Sequence, residues 1–252
     1  MEVHWVPAFN DNYIWLICDR ENRSLFCVDP GDARPVRAFL SEKQYQLKGI
    51  LLTHHHADHT DGVNALLKAH PNTPVYGPDD RRIPEVTDVL TENQRIHLDG
   101  LALQVLSTPG HTATHISLYA PHFGWLFCGD TLFSAGCGRV FDGTMQALFH
   151  SLQKLKALPE QTKVFCAHEY TRQNLRFAAT VEPDNEDIKQ YSALLQQAAN
   201  SCSLPSTIGL EKAVNPFFRT QTPTVKHYAL QKGCQGDSFS VFQQIRADKD
   251  QF

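Results

Sequence analysis

Residues 51–62 read LLTHHHADHTDG, an apolar run that ends in four histidines and an aspartate within positions 54–59. Neighbouring histidines are ordinarily surface residues, and longer runs occur as tags or low-complexity tracts. This run is internal and not repeated, so its imidazoles need a chemical reason. The segment in front of them, GILLT at 49–53, is short, apolar and β-branched, which reads as a strand. At an extended strand end His54 and His56 point the same way, and His55 between them faces away.

Working outward, the same arrangement recurs. QVLSTPG leads into His111, WLFCG into Asp130 and VFCA into His168. Ligand-type side chains at strand ends gather along one edge of a sheet, over a rigid base. Further strand-like runs lie at 13–18, 24–31, 74–77, 101–110, 115–120, 124–130 and 163–168, and helical spacing marks 63–70 and 145–158. Strands interleaved with helices predict an α/β layered fold. After about Tyr170 the texture changes: 171–202 is rich in Ala, Leu, Gln and Asn at helical spacing, and FSVFQQIRADKDQF at the end is helical again. Two domains are therefore expected, residues 1–170 and a smaller, mostly helical 171–252.

If His54, His56, Asp58, His59, His111, Asp130 and His168 converge, they are too many for one zinc-like ion, which takes three or four protein ligands. Two ions accommodate them. A carboxylate bridges two metals, so Asp130 is the natural shared ligand, and two-metal hydrolases hold such ions ~3.5–4 Å apart. Asp58 and His59 are consecutive, so both cannot follow strand alternation; a turn into a helix beginning near Gly62 would direct them to the second ion.

THHHADH at 53–59, STPGHT at 107–112, LFCGDT at 126–131 and FCAHEY at 165–170 together resemble the metallo-β-lactamase superfamily. PAFNDNYIW near the start, VDPGD at 28–32, GCGRVFDGT at 136–144 and RADKDQF at the end are similar to its glyoxalase II branch, the hydroxyacylglutathione hydrolases. The resemblance implies a four-layer αβ/βα sandwich with a smaller α-helical C-terminal domain that binds substrate. It implies hydrolysis of S-(2-hydroxyacyl)glutathione thioesters, chiefly S-D-lactoylglutathione, to D-lactate and glutathione by a bridging metal-bound hydroxide, the second step of methylglyoxal detoxification. Carried over by position, one ion falls to His54, His56 and His111 and the other to Asp58, His59 and His168, with Asp130 shared. Asp58 and Asp130 become the catalytic carboxylates. Substrate contacts fall on Arg139, Phe141, Tyr170, Arg246 and Lys249. Phe141 stands where some members have tyrosine, and Thr60-Asp61-Gly62 replaces the usual small glycine-rich turn.

The ions are expected to be two divalent metals, zinc foremost, with iron or manganese also suited to imidazole and carboxylate ligands. Arg246 and Lys249, three apart on a presumed helix, would share a face, which by itself reads as an ordinary solvated surface; the resemblance implies that they hold a substrate carboxylate. A net charge of −4 lacks the basic excess of nucleic-acid binding, and no uncharged run reaches the ~20 residues of a membrane span. The early Glu2 and the absence of a basic segment do not read as a secretory signal. Seven cysteines without a CxxC pair predict reduced thiols in a cytoplasmic protein. The resemblance implies a small-molecule glutathione thioester as partner, and a monomer is expected. Cys137 reads as packing, and Asp29 either as a residue that fixes a ligand or a loop or as a simple turn-forming Asp-Pro. His4, His70, His97, His115, His122, His150 and His227 read as surface or hydrogen-bonded residues. Two competing readings remain, a glutathione persulfide dioxygenase with mononuclear iron and a non-catalytic metal-binding protein.

Overall fold

The computed structural model describes residues 1–198 and 201–252, so Ala199 and Asn200, the end of one expected helical stretch, lie outside the described residues. The chain divides into two compact units, one made of Met1–Ser107 and Thr114–Gly129, the other of Thr108–Ala113 and Asp130–Phe252.

In the first unit, β1 (Glu2–Ala8) and β2 (Asn12–Asp19) form a hairpin in which Trp5 lies opposite Trp15. The chain continues antiparallel into β3 (Ser24–Val28). It then crosses through α1 (Ala33–Lys43) to β4 (Gln46–Leu51), which runs parallel to β3. Pro35 sits in the first turn of α1, where its missing N–H costs nothing. All five residues of β3 are buried, as a strand covered on both faces requires. After β4 come α2 (Ala57–Thr60) and α3 (Val63–Ala69), then β5 (Val75–Gly77) and β6 (Asp88–Val89), which complete a sheet in the order β1-β2-β3-β4-β5-β6. Leu16, Leu25, Val36, Leu40, Ile50, Val63 and Leu66 join in its core. The helical turn of α2 therefore begins earlier than the expected entry near Gly62, and Asp58 and His59 lie inside it.

The same unit holds a second antiparallel set, β7 (Arg95–Leu98), β8 (Leu101–Ser107), β9 (Ile116–Ala120) and β10 (Trp125–Gly129). Asp99 and Gly100, both at positive φ, close the β7–β8 hairpin, the backbone that a two-residue turn between right-twisted strands demands.

The second unit is predominantly helical. It contains the short hairpin β11 (Leu132–Phe133) and β12 (Gly136–Cys137), then α4 (Met145–Lys156) and β13 (Lys163–Cys166). There follow α5 (Thr171–Val181), α6 (Glu186–Gln197), β14 (Ser206–Thr207), α7 (Ile208–Val214), α8 (Pro223–Leu230) and α9 (Ser238–Gln251). β14 pairs antiparallel with β13. Side chains cap four of these helices, Thr144 on α4, Asn185 on α6, Thr207 on α7 and Asp237 on α9, each accepting a first-turn N–H. Leu175, Ala178, Ile188, Tyr191, Leu195 and Val214 pack together, and Phe177, Phe217 and Phe242 are fully buried. Glu211, also fully buried, accepts from the Ala135 N–H at 2.8 Å and from Asn215 Nδ2 at 3.0 Å, and burial raises its pKa.

Candidate metal centre

The seven expected ligands fall into two groups, one in each unit. In the first unit β4 delivers the chain to Thr53, whose carbonyl accepts from the Ile116 N–H at 3.0 Å. His54 and His56 follow, with ring centroids 4.7 Å apart, and the His59 ring lies 4.1 Å from that of His54. Nitrogen atoms of His54 and His56, of His54 and His59, and a ligand-atom pair from Asp58 and His59 each come within 4.8 Å. His55 turns aside as expected, its Nδ1 3.6 Å from Asp80 Oδ2.

One buried carboxylate organises this group. Asp29 accepts from the Thr53 N–H at 2.8 Å and from Thr53 Oγ1 at 2.8 Å, and its Oδ2 lies 3.1 Å from His59 Nδ1. A hydroxyl has one proton. Thr53 gives its proton to Asp29, so Thr53 Oγ1 can only accept from His54 Nδ1, 3.0 Å away. His54 thus carries its proton on Nδ1 and offers a deprotonated Nε2, and Asp29 steers His59 the same way. Metal-ligating histidines are set up by such outer partners. Asn12, 6% exposed, donates from Nδ2 to Asp58 Oδ2 at 2.9 Å and holds that carboxylate in one orientation.

His115 is fully buried and stacks on His54 at 4.8 Å and 25°. The close approach needs glycine at 129: a Cβ there would sit 2.4 Å from Thr53 Oγ1 and 2.8 Å from His115 Nε2, at a φ of +47°.

In the second unit Asp130 stands between two imidazoles. Its Oδ2 lies 3.4 Å from His111 Nε2 and its Oδ1 3.4 Å from His168 Nε2. His111 Nδ1 lies 2.8 Å from the Arg139 carbonyl, and because a carbonyl only accepts, the neutral ring carries its proton on Nδ1 and its lone pair on Nε2. The His168 ring stacks on Tyr170 at 4.7 Å and 8°, with Phe133 edge-on.

The expected substrate contacts also lie in this unit. Phe141 is 64% exposed and meets His111 edge-on at 5.2 Å. Arg139 is exposed, with Nε 3.2 Å from Asp250 Oδ1. Lys249 is half-buried over the rings of Phe177 and Phe252. Burial, and then the charges of Arg246, Arg176 and Arg139, draw its pKa down to about 8. Arg246 is only 2% exposed and binds within the protein, donating from Nη1 to the Cys137 carbonyl at 2.8 Å and from Nη2 to Asp250 at 3.0 Å. Cys137 is buried and burial pushes its thiol up to about 11, which suits packing and not nucleophilic chemistry.

Sequence reasoning misses Asn12 and His115. Asn12 lies in the NDNY stretch, which offers a signal; His115 offers none, since its role comes from stacking. The donors are imidazole nitrogens and carboxylate oxygens, a chemistry that fits zinc, iron or manganese.

Comparison with known proteins agrees with this chemistry. A model of the metallo-β-lactamase superfamily matches residues 9–168, and one of the hydroxyacylglutathione hydrolase C-terminus matches 169–252. A hydroxyacylglutathione hydrolase of Legionella pneumophila (strain Corby) is 52% identical over 248 residues, 98% of either chain. Among solved structures, the BLEG-1 B3 metallo-β-lactamase superposes with a TM-score of 0.67 at 24% identity, covering 86% of this chain and 99% of that one. TTHA1623 in a di-iron-bound form gives a TM-score of 0.62 at 26% identity, covering 86% of this chain and 100% of that one.

Proposed function

The chain belongs to the hydroxyacylglutathione hydrolases of the metallo-β-lactamase superfamily, and on that premise we propose that it hydrolyses S-(2-hydroxyacyl)glutathione thioesters, chiefly S-D-lactoylglutathione, to D-lactate and glutathione. The superfamily's α/β fold supplies the scaffold, residues 1–170 the catalytic part and 171–252 a substrate-binding part.

The expected ligands would hold two divalent ions, zinc before iron or manganese: His54, His56 and His111 would take one, Asp58, His59 and His168 the other, with Asp130 available to both. The observation that carries this reading is Asp130 itself, each of whose oxygens faces a different imidazole, the disposition of a shared ligand. The di-iron form of TTHA1623 is a precedent for two ions on this fold. When bound, such ions lower the pKa of a coordinated water toward 7 and polarise a carbonyl oxygen.

The chain's own residues do the rest. Asp29, through Thr53 and directly, keeps His54 and His59 as deprotonated donors at Nε2. Asn12 holds Asp58 Oδ2 and so fixes the carboxylate that would ligate and help orient the nucleophile. The leaving group is a thiolate, whose conjugate acid has a pKa near ~8.5, so expulsion needs little help from a general acid. Glutathione carries two carboxylates; Arg139 and Lys249 meet one of them, Arg246 adds charge from beneath the surface, and Tyr170 and Phe141 are the remaining substrate contacts. The enzyme works as a cytoplasmic monomer. Among the described residues no cysteine forms a disulfide, and no helix is long and apolar enough to cross a membrane.

Purified protein given S-D-lactoylglutathione should lose the thioester absorbance and release one thiol per bond broken, with two metal ions per chain by elemental analysis. Oxygen uptake on glutathione persulfide with an inert thioester would select the dioxygenase instead, a reading disfavoured by the match of residues 169–252. Turnover of neither would leave a metal-binding protein.

A further inference from the structure

Arg246 is placed where a surface contact would not need to be. It is 2% exposed, its guanidinium lies 5.2 Å over the ring of Phe217, and its Nη1 reaches the carbonyl of Cys137 at 2.8 Å and that of Gly138 at 3.5 Å. Its Nη2 donates to Asp250 Oδ1, one helical turn on, at 3.0 Å. That same oxygen lies 3.2 Å from Arg139 Nε. Residues 137, 138 and 139 are thus each held from α9, two by their carbonyls and one by its side chain.

The held segment has one further partner. The Arg139 carbonyl accepts the Nδ1 proton of His111, and the Phe141 N–H donates to the His111 carbonyl at 3.0 Å. Gly138 is pressed so close that a Cβ would lie 2.0 Å from the Asp130 carbonyl oxygen and 3.1 Å from His111 Nδ1. Burying a guanidinium is costly unless its donors are met; here Nη1 and Nη2 are met while Nε has no hydrogen-bond partner among the described residues, and only the forked geometry serves carbonyl and carboxylate together.

We infer that Arg246, braced by Asp250, is a positioning residue for His111: it fixes the 137–139 segment so that the Arg139 carbonyl holds the His111 proton on Nδ1 and presents Nε2 for ligation. The inference rests on the reading of His111 as a metal ligand and deepens it, because the residue expected to bind substrate also sets up a ligand.

The test compares wild type with Arg246→Lys, which keeps the charge and loses the fork, and Asp250→Ala, a change on the exposed side of α9. Metal affinity is measured without substrate by chelator competition with zinc, and the His111 tautomer by nitrogen-15 NMR on metal-free protein. Both variants should bind the more weakly held zinc about tenfold less tightly, the low end for an outer partner of a ligating histidine. His111 should change from the Nδ1–H form to a mixture. A residue that only contacts substrate would raise KM and leave affinity and tautomer as in wild type, and that result overturns the inference. Should Arg246→Lys fail to fold, wild-type values in Asp250→Ala overturn it equally. Wild type that binds no zinc would sink the metal reading itself, while the tautomer measurement still decides whether Arg246 positions His111.

Discussion

Asp29→Asn is the sharpest perturbation of this centre, because it changes the electrostatics of one atom and little else. Asp29 sits at a φ of +51°, a conformation asparagine adopts at least as readily, so the backbone should hold. Its oxygens face three donors, the Thr53 N–H, Thr53 Oγ1 and His59 Nδ1. An asparagine offers one oxygen and one NH2. With its oxygen on the Thr53 N–H, its NH2 opposes the Thr53 hydroxyl and His59 Nδ1, both of which were donors. The hydroxyl must reverse and donate to His54 Nδ1, and the proton moves to Nε2 on both histidines, the atoms needed for metal. Loss of an outer partner costs about 10–100-fold in metal affinity. That is about 1.4–2.7 kcal/mol at 1.36 kcal/mol per tenfold. Chelator competition with zinc measures it, with circular dichroism to verify folding. Thr53→Val, which removes only the hydroxyl, should weaken the site less, since His59 keeps its carboxylate. A folded Asp29→Asn protein that binds zinc like wild type would refute the tautomer argument.

Other outcomes follow from particular contacts. Gly138→Ala should lower zinc affinity by about tenfold or more, because its Cβ displaces the Asp130 carbonyl or the His111 ring; chelator competition checks it. The pKa of Lys249 lies at about 8, below the ordinary 10.5, so the folded protein releases this proton earlier than the unfolded chain. Lys249 therefore opposes folding below pH 8 and relaxes that opposition between pH 8 and 10.5, and KM for the anionic thioester should rise as pH passes 8. Lys249→Gln should flatten both profiles, and an unchanged alkaline limb would remove Lys249 from substrate binding. Burial pushes Cys18 and Cys166 up to about 12 and Cys137 up to about 11, so an aromatic disulfide reagent at pH 8 should label the half-buried Cys202 and Cys234 first. Rapid reaction of further thiols in native protein would contradict that order.

Much of the chemistry was written along the chain. Donor residues at the ends of apolar runs announce themselves because the run and the ligand type are both read locally, although β4 ends at Leu51 and His54, His55 and His56 follow it in a loop, beyond the reach of strand alternation. α5, α6 and α9 were equally legible from spacing, whereas α1, α7 and α8 were not individually anticipated. What local rules cannot supply is which group meets which across long separations. Asp29 reaches His54 only through the Thr53 hydroxyl, Asn12 finds Asp58 from a distant hairpin, and His115 becomes a stacking partner only because Gly129 lets the backbone close in. Arg246 shows the difference most plainly. From spacing it shares a helix face with Lys249, but burial converts that charge from a surface hand into an internal brace, since a desolvated guanidinium must find carbonyls and a carboxylate nearby. Residue types thus determined what the centre can bind, and tertiary packing decided how each donor is held and which proton it keeps.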